Sequence, residues 1–318
     1  MNFREPVSYR STSRLRCMAE TITYYPFHLH DKDVEIVFVL DGELIVHDSA
    51  LQHQLTPGDI YIFNANDPHK LVGRGEGNIV LRLQFHKDSY QSFFSDLENA
   101  YFVCDSFAMG RDFPPEVKEL QNRLAGIYCL YQDNPTQDLE LETAMKSLIS
   151  LLLNEFQHYT YEKREGDIFG IVRRANQHHD HQYFQRIYRI IDKICVRYQE
   201  KLSLTQLAQE EFLSVSYLSR YIKESSGLTF SELLSLTRCE EAERQLAISH
   251  KNVDQIATYV GFANRKHLAV QFHRWFHQTP TQYRKSIQQD LYETANTKRQ
   301  PVDCRLVLSL LHDHFEHI

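Results

Sequence analysis

Four side chains in the first quarter of the sequence carry residue types that ligate metals. His28 and His30 stand two apart, Glu35 follows five residues later, and His69 lies further along. Side chains two apart on a strand share a face, so His28 and His30 project together. Imidazoles with a carboxylate are the donor set of a divalent transition metal. The same four groups, with Tyr61, can instead hydrogen-bond a small organic molecule or one another, and that reading is preferred over the metal. Tyr24, Phe27, Phe38, Tyr61 and Phe63 add rings on which a sugar could stack, although most of them read as core. A second cluster, His178-His179-Asp180-His181, reads as solvated linker, because no further ligand is placed near it by the sequence. The six cysteines are scattered without a C-x-x-C pair and read as packing thiols of a reducing cytoplasm. No nucleophilic triad, phosphate-binding glycine loop or paired-acid motif is apparent, so the chain is not read as an enzyme.

The other chemistry is the reading of base edges, and it rests on a repeat. Ser203-Leu-Thr-Gln-Leu-Ala208 aligns with Asn252-Val-Asp-Gln-Ile-Ala257. Each opens with an N-cap residue and places Gln at N3, a capping box. Each then offers an alanine that lets a second helix approach closely. Turns follow at 211–214 and 260–264, the second one residue longer, and then further helices. Two helix-turn-helix units about 50 residues apart are the simplest account. In such a unit the inner face of the second helix packs on the first, and its outer face enters the major groove. Leu218, Tyr221 and Ile222 are the inner face of the first copy; Leu268, Phe272 and Trp275 are that of the second. The outward sets are Val215, Ser216, Ser219, Arg220 and Lys223, and Arg265, Lys266, His267, Ala269 and Val270. Arg220 and Arg265 can each contact a guanine in bidentate fashion. Lys223, Arg274, Arg284 and Lys285 are assigned to phosphates, which fix register without reading sequence.

These groups need scaffolds, and the sequence supplies two kinds. From about residue 20 to 86 it alternates as strands do: Val34–Leu40, a hairpin signal at Asp41-Gly42, then Glu43–His47, Asp59–Phe63 and Ile79–Phe85. Several short strands separated by turn residues imply a sandwich or barrel. The period then becomes helical at 116–133 and 139–159. Those two helices either cover the barrel or pair with their copies in a second subunit. Residues 160–182 read as linker, and helices resume from 184 to 283. A last amphipathic stretch carries Cys304, Val307, Leu308, Leu311 and Phe315 on one face; it is expected to pack on the domain or on a partner, and its role is not legible. Charge divides the same way. Residues 1–184 hold 17 Lys+Arg against 27 Asp+Glu, whereas residues 185–290 hold 15 against 11, so a chain of net charge −7 joins an acidic half to a basic one. No run approaches the roughly 20 apolar residues of a membrane span, and residues 1–16 lack the apolar stretch of a secretory signal.

Within about residues 185–285 the sequence resembles the AraC/XylS family of bacterial transcription regulators. The resemblance is carried by Leu202–Ala208, by Tyr217–Gly227, by Arg238, Ala242 and Leu246, and by Ile256-Ala257, Val260-Gly-Phe262, Phe272, Phe276 and Thr279–Arg284. It implies two recognition helices held by one long helix over about 230–248, entering successive major grooves roughly 34 Å apart. Phe212 and His277 stand where the family often has glycine, and Val270 replaces a commonly basic residue. Further upstream, His28-x-His30 with Glu35 and Gly42 resembles the first cupin motif, and Gly58 with His69 the second; Asn64 and Asn66 replace the usual Pro and Gly.

The expected architecture is therefore a multidomain α+β chain. A cupin-like antiparallel β-barrel over 1–110 precedes a helical packing or dimerisation region (111–160), a linker (161–183), an all-α double helix-turn-helix domain (184–286) and a C-terminal extension (287–318). The expected function is a cytoplasmic, bacterial, sequence-specific regulator, most simply an activator. It would be controlled by a small-molecule effector, a sugar being one class, at His28, His30, Glu35, Tyr61 and His69. Its partners would be promoter or operator double-stranded DNA, a second copy of the chain and RNA polymerase, with no membrane. The DNA-contacting set is Ser216, Ser219, Arg220, Lys223, Arg265, Lys266, His267, Ala269, Val270 and Arg274. The rival is a metal-dependent cupin enzyme or metal sensor, with His28, His30, Glu35 and His69 as ligands.

Overall fold

The computed structural model describes residues 5, 7–9, 14–48, 51–98, 100–133, 138–157, 159–163, 169–173, 181–292 and 298–314. The chain divides into two compact units: Asn2–Gln157 together with Gln289–Ile318, and His158–Gln288.

The first unit is an antiparallel barrel backed by helices. Strands β1 (Leu15–His28), β2 (Asp33–Asp48), β3 (Leu51–Leu55), β4 (Ile60–Phe63) and β5 (His69–His86) precede helices α1 (Pro115–Asp133) and α2 (Asp138–Leu151). Sheet order is β3-β2-β5-β1-β8, where β8 is Lys298–Pro301, and β4 pairs with β2. Strand alternation sorts side chains into two layers. Val34, Ile36, Phe38 and Leu40 of β2 join Leu81, Leu83 and Phe85 of β5 in a core shared with Val117, Leu120 and Leu124 of α1 and Met145, Leu148 and Ile149 of α2. Val37 and Val39, joined beyond the bulge by Leu44 and Val46 and by Val80 of β5, face the other way and pack inside the barrel with Phe63 and Leu71. Both faces are therefore buried. The apolar stripes of α1 and α2 are spent on their own barrel.

One expectation changes here. Asp41-Gly42 is not a hairpin: β2 runs unbroken through it, and pairing with β5 passes from Gly42↔Asn78 to Glu43↔Arg74. Gly42 sits at φ +70, and a Cβ there would lie 2.3 Å from the Gly77 carbonyl oxygen. The glycine bends one long strand at a bulge rather than ending it. The C-terminal extension also acquires a place. Strand β8 pairs with β1 through Glu20↔Pro301 to Tyr24↔Lys298, and helix α10 (Cys304–His314) buries Val307 and Leu311 in the barrel–helix core. Leu308 of the expected stripe is partly exposed, and Phe315 lies outside the described residues.

The second unit begins with a two-stranded hairpin, β6 (Tyr159–Lys163) and β7 (Phe169–Arg173), within the stretch read as linker. Of the histidine run, residues 178–180 lie outside the described residues and His181 opens α3 (His181–Arg197). Helices α4 (Leu204–Glu210), α5 (Val215–Ser226), α6 (Phe230–Ile248), α7 (Val253–Tyr259), α8 (Arg265–Phe276) and α9 (Pro280–Tyr292) follow. None of the described helices is long and apolar enough to cross a membrane. Of the cysteines, Cys17, Cys104 and Cys239 are buried and Cys195 is exposed.

Candidate nucleic-acid interface and barrel-interior cluster

The local sequence fixes both helix-turn-helix units. Ser203 caps α4 with a reciprocal Gln206 bond, and Asn252 caps α7 with Gln255 in the same way. These bonds satisfy amide donors that a helix start leaves without partners. The second helices are capped too: Ser214 accepts from the Tyr217 amide, and Asn264 from the His267 amide. The long connecting helix α6 is capped by Thr229 with Glu232.

Each unit needs the left-handed backbone twice, once in its turn and once after its second helix. The first copy places Phe212 (φ 55) and Gly227 (φ 78) there, and the second places Gly261 (φ 87) and His277 (φ 54). The two turns thus share a conformation despite the missing glycines. Gly261 is also the tighter of the turn pair, since a Cβ would lie 3.0 Å from the Tyr198 and Gln199 carbonyls.

The inner faces are as expected: Leu218, Tyr221, Ile222, Leu268, Phe272 and Trp275 are buried. Outward, Ser216, Ser219, Arg220, Lys223, Arg265, Lys266, His267, Val270 and Arg274 are exposed and Ala269 is half-buried. Val270 presents an apolar surface at 57% exposure. Arg220 and Arg265 have only loose acidic neighbours, Glu224 and Asp254, each at 3.9 Å between highly exposed side chains. Such pairs hold little energy against a competing ligand. Arg274 is tied more closely, 2.7 Å from Glu232, and Lys223 donates to the Gly227 carbonyl at 2.5 Å.

Arg284, expected on a phosphate, is committed elsewhere. It donates to the Leu246 and Lys251 carbonyls at 3.3 and 2.6 Å and so braces the end of α6. Arg238 does similar work, donating to the Tyr198 and Glu200 carbonyls at 2.7 and 2.8 Å. Three basic residues of α3 are likewise engaged. Arg189 and Lys193 grip Glu211 at 2.8 and 2.5 Å, and Arg197 holds Glu210 at 2.7 Å. The Arg189 hydrogen bond holds the Glu211 carboxyl below its ordinary range despite partial burial.

In the barrel, the four expected ligands do come together. Their donor atoms all lie within 4.8 Å of one another, and all four residues are buried. His28 and His69 face each other across the β1–β5 pairing, with ring centroids 4.1 Å apart, and Phe63 stacks on His69 at 3.8 Å. Tyr61 stands apart from them, half-buried, with its hydroxyl on Asp48 at 2.6 Å. It stacks on His53 at 5.5 Å.

The sequence reading missed the groups around this cluster. Arg82 and Gln84 share the interior parity of β5 with Val80, and both are buried. Arg82 Nε donates to Glu35 Oε1 at 2.7 Å and its NH2 to Oε2 at 3.1 Å; NH1 reaches Glu20 at 2.9 Å. Gln84 donates to Glu35 Oε2 at 2.6 Å, and His30 Nε2 lies 2.8 Å from the same oxygen. The Tyr25 ring lies under two guanidiniums, Arg82 at 4.6 Å and Arg299 of β8 at 4.4 Å. The signal that was available is an Arg and a Gln embedded in the otherwise apolar run Ile79–Phe85.

Charge follows from these contacts. Burial alone would raise the Glu35 carboxyl, but Arg82 and the hydrogen bond with His30 hold it well below the usual carboxylate range. Burial would lower His30, yet Glu35 outweighs that and raises it. His28 has no such compensation: burial first, then His69 and His30, push it well down.

A cupin motif implies a divalent transition metal, and the residues present fit one only in part. His28 Nδ1 faces the Pro26 carbonyl and His69 Nδ1 the Asp67 carbonyl, both at 2.8 Å. With the protons drawn to Nδ1, the Nε2 lone pairs point into the cluster, the orientation that metal-binding histidines adopt. Both Nε2 atoms are buried without a hydrogen-bond partner. Glu35 does not fit. Four donors already occupy its oxygens.

A capped, twice-repeated helix-turn-helix with exposed outer faces, in one chain with a small antiparallel barrel, is the domain combination of HTH-type transcription regulators that carry a cupin domain. Comparison with known proteins agrees. Residues 207–286 match the helix-turn-helix domain family, and residues 20–83 the cupin domain family. An uncharacterized HTH-type transcriptional regulator of Staphylococcus aureus (strain COL) is 26% identical over 286 residues, which are 89% of this chain; the chain spans only 35% of that relative's length. The HTH-type transcriptional activator RhaS of Pectobacterium atrosepticum is 25% identical over 82% of this chain and 88% of its own. Among solved structures, ToxT from Vibrio cholerae is 14% identical, covering 86% of this chain and 98% of its own, with a TM-score of 0.45. The chain thus carries an AraC-type helix-turn-helix domain and a cupin domain.

Proposed function

We propose that the chain is a sequence-specific regulator that reads double-stranded promoter or operator DNA with the outer faces of α5 and α8. In this reading Arg220 and Arg265 contact guanine edges, Ser216, Ser219, Lys266 and His267 contact neighbouring base edges or phosphates, and Arg274 and Lys223 hold phosphates. Ala269 and Val270 meet a thymine methyl. The carrying observation is that both helices bury an apolar inner face while leaving their basic outer faces exposed.

The barrel is the controlling domain. Its ligand is a small molecule bound at or beside His28, His30, Glu35, Tyr61 and His69. Tyr61 with its stacked His53 offers the flat surface on which a sugar ring packs. Effector binding shifts the chain between states of different DNA affinity, which requires the effector to bind those states unequally. The protein acts in a bacterial cytoplasm as an activator, as a homodimer that gains effective concentration on paired half-sites, and with RNA polymerase as its partner.

Electrophoretic retardation of promoter fragments at several salt concentrations tests this. Each neutralised phosphate adds about 0.9 to the slope of log affinity against log salt. A steep loss of retardation between about 50 and 200 mM salt is expected, with a slope that Lys223→Ala and Arg274→Ala each reduce. Binding indifferent to salt would refute the interface.

A further inference from the structure

Among the described residues, four helices of the second unit open with reciprocal capping boxes. Three of the boxes use glutamine: Ser203 with Gln206, Asn252 with Gln255, and Thr279 with Gln282. The fourth, at the start of α6, uses Glu232. A neutral amide closes such a box as a carboxylate does, so the box alone does not call for charge. The charge has a second use. Glu232 Oε2 accepts from the Thr229 amide and hydroxyl at 2.9 and 2.8 Å, whereas Oε1 accepts from Arg274 of α8 at 2.7 Å.

The two oxygens of one carboxylate thus serve different helices. Only Gly227, Leu228 and Thr229 separate α5 from α6. Gly227 ends α5 in the left-handed backbone, and Leu228 is fully buried. Ser226 Oγ donates to the Ile222 carbonyl at 2.7 Å and accepts from the Leu228 amide at 3.2 Å. The chain itself therefore fixes α5 to the first turn of α6. No such short connection reaches α8, because α7 lies between. Its polar ties run along one edge of α6: Arg274 on Glu232 and, one turn on, Ser235 donating to Gln271 at 2.9 Å and accepting from the Trp275 indole at 3.2 Å. The Glu232 side chain is 19% exposed. Burial would raise its carboxyl, but the Thr229 amide and hydroxyl, then Arg274 and the Lys223 charge, hold it below its ordinary range. The pair is closer and better shielded than the 3.9 Å pairs of Arg220 and Arg265.

We propose that Glu232 is a positioning residue: it ties α8 to the joint between α5 and α6, fixes the distance between the two recognition helices, and so makes the protein selective for the spacing of the two DNA segments it reads. The role rests on the reading of α5 and α8 as recognition helices, and Glu232 itself touches no DNA. Moving one segment by a single base pair shifts it about 3.4 Å along the duplex and about 35° around it. A rigid pair of helices cannot follow that displacement, and a loosened pair can.

The test is fluorescence-anisotropy titration of the full-length chain as wild type, Glu232→Gln, Arg274→Gln and the double variant. The probes are a promoter fragment that wild type retards, with its two contacted segments located by guanine-methylation interference, and two derivatives with one base pair inserted or removed between them. Wild type should favour the native spacing by at least about tenfold, the scale of one mismatched base pair. Glu232→Gln keeps an acceptor for the cap and should cut that preference to about threefold or less, the loss of one ion pair. Arg274→Gln should cut it alike, whatever it does to overall affinity. The double variant should go no lower than either single one, because both remove the same tie. Far-UV circular dichroism checks folding, and Arg274→Gln, which lies outside the cap, reads the tie by itself should Glu232→Gln not fold. An undiminished spacing preference in either folded variant would overturn the proposal, as would a change of affinity in Glu232→Gln that is equal on all three fragments. A wild type indifferent to spacing would overturn it too. Folded wild type that retards no promoter fragment would instead overturn the regulator reading.

Discussion

At the scale of single residues, the account turns on where charge is free and where it is committed. Arg265 is exposed and loosely attended, so Arg265→Ala should cost about 1–3 kcal/mol of binding and relax preference at one base pair; competition assays with single-base operator variants measure both. Equal loss on every sequence would make it a phosphate contact. Glu35 is the opposite case, with four donors around it in the barrel interior. Glu35→Gln leaves Arg82 with only Glu20, and chemical denaturation should show a loss of about 3 kcal/mol or more. The pH dependence follows from the same contacts. The carboxyl is held well below its unfolded value of about 4.3, so its contribution is complete above that pH and falls away as pH drops through the folded value. Acid unfolding monitored from pH 5 downward should be steeper in wild type than in Glu35→Gln. Phe212 is a third kind of site. It is 96% exposed at a left-handed φ that costs most residues about 1–2 kcal/mol. Phe212→Gly should raise the melting temperature by up to about 1 kcal/mol equivalent, after the extra entropy of an unfolded glycine is subtracted. A lower melting temperature would mean that the exposed ring has a partner.

At the scale of elements, local signals were legible and remote partners were not. Capping residues, the alanines at 208 and 257 and the apolar spacing located α4, α5, α7 and α8, because those instructions lie within one turn of where they act; the span of α6 was implied by the family resemblance. Asp41-Gly42 misled for the converse reason. The dipeptide encodes a bend, and only the pairing of both halves of β2 with β5 makes it a bulge rather than a turn. Arg82 and Gln84 alternate with apolar residues in Ile79–Phe85, a pattern that does not say which face is interior; α1, α2 and α10 cover one face of β5, and its other face is interior too. The last stretch was legible as amphipathic, but its target depends on β8 reaching β1 nearly 280 positions away in sequence. Its burial gives a prediction at this scale. Leu311→Ala should destabilise the barrel by about 2–5 kcal/mol, and protein ending at residue 297 should unfold at lower denaturant while α4 to α9 keep their helicity. An unchanged barrel transition would show that α10 packs there without contributing.

At the scale of the whole molecule, the acidic half contains the barrel and the basic half contains the recognition helices, and the four candidate metal-ligand residues were legible as a cluster while the groups that engage Glu35 were not. The central claim is that α5 and α8 lie in neighbouring major grooves of one duplex. The most direct measurement is guanine-methylation interference on a retarded promoter fragment, run with wild type, Arg220→Ala and Arg265→Ala. The account predicts two clusters of interference on one DNA face, about 10 base pairs apart, with each substitution erasing one cluster and sparing the other. A single cluster, or two substitutions that erase the same positions, would contradict it.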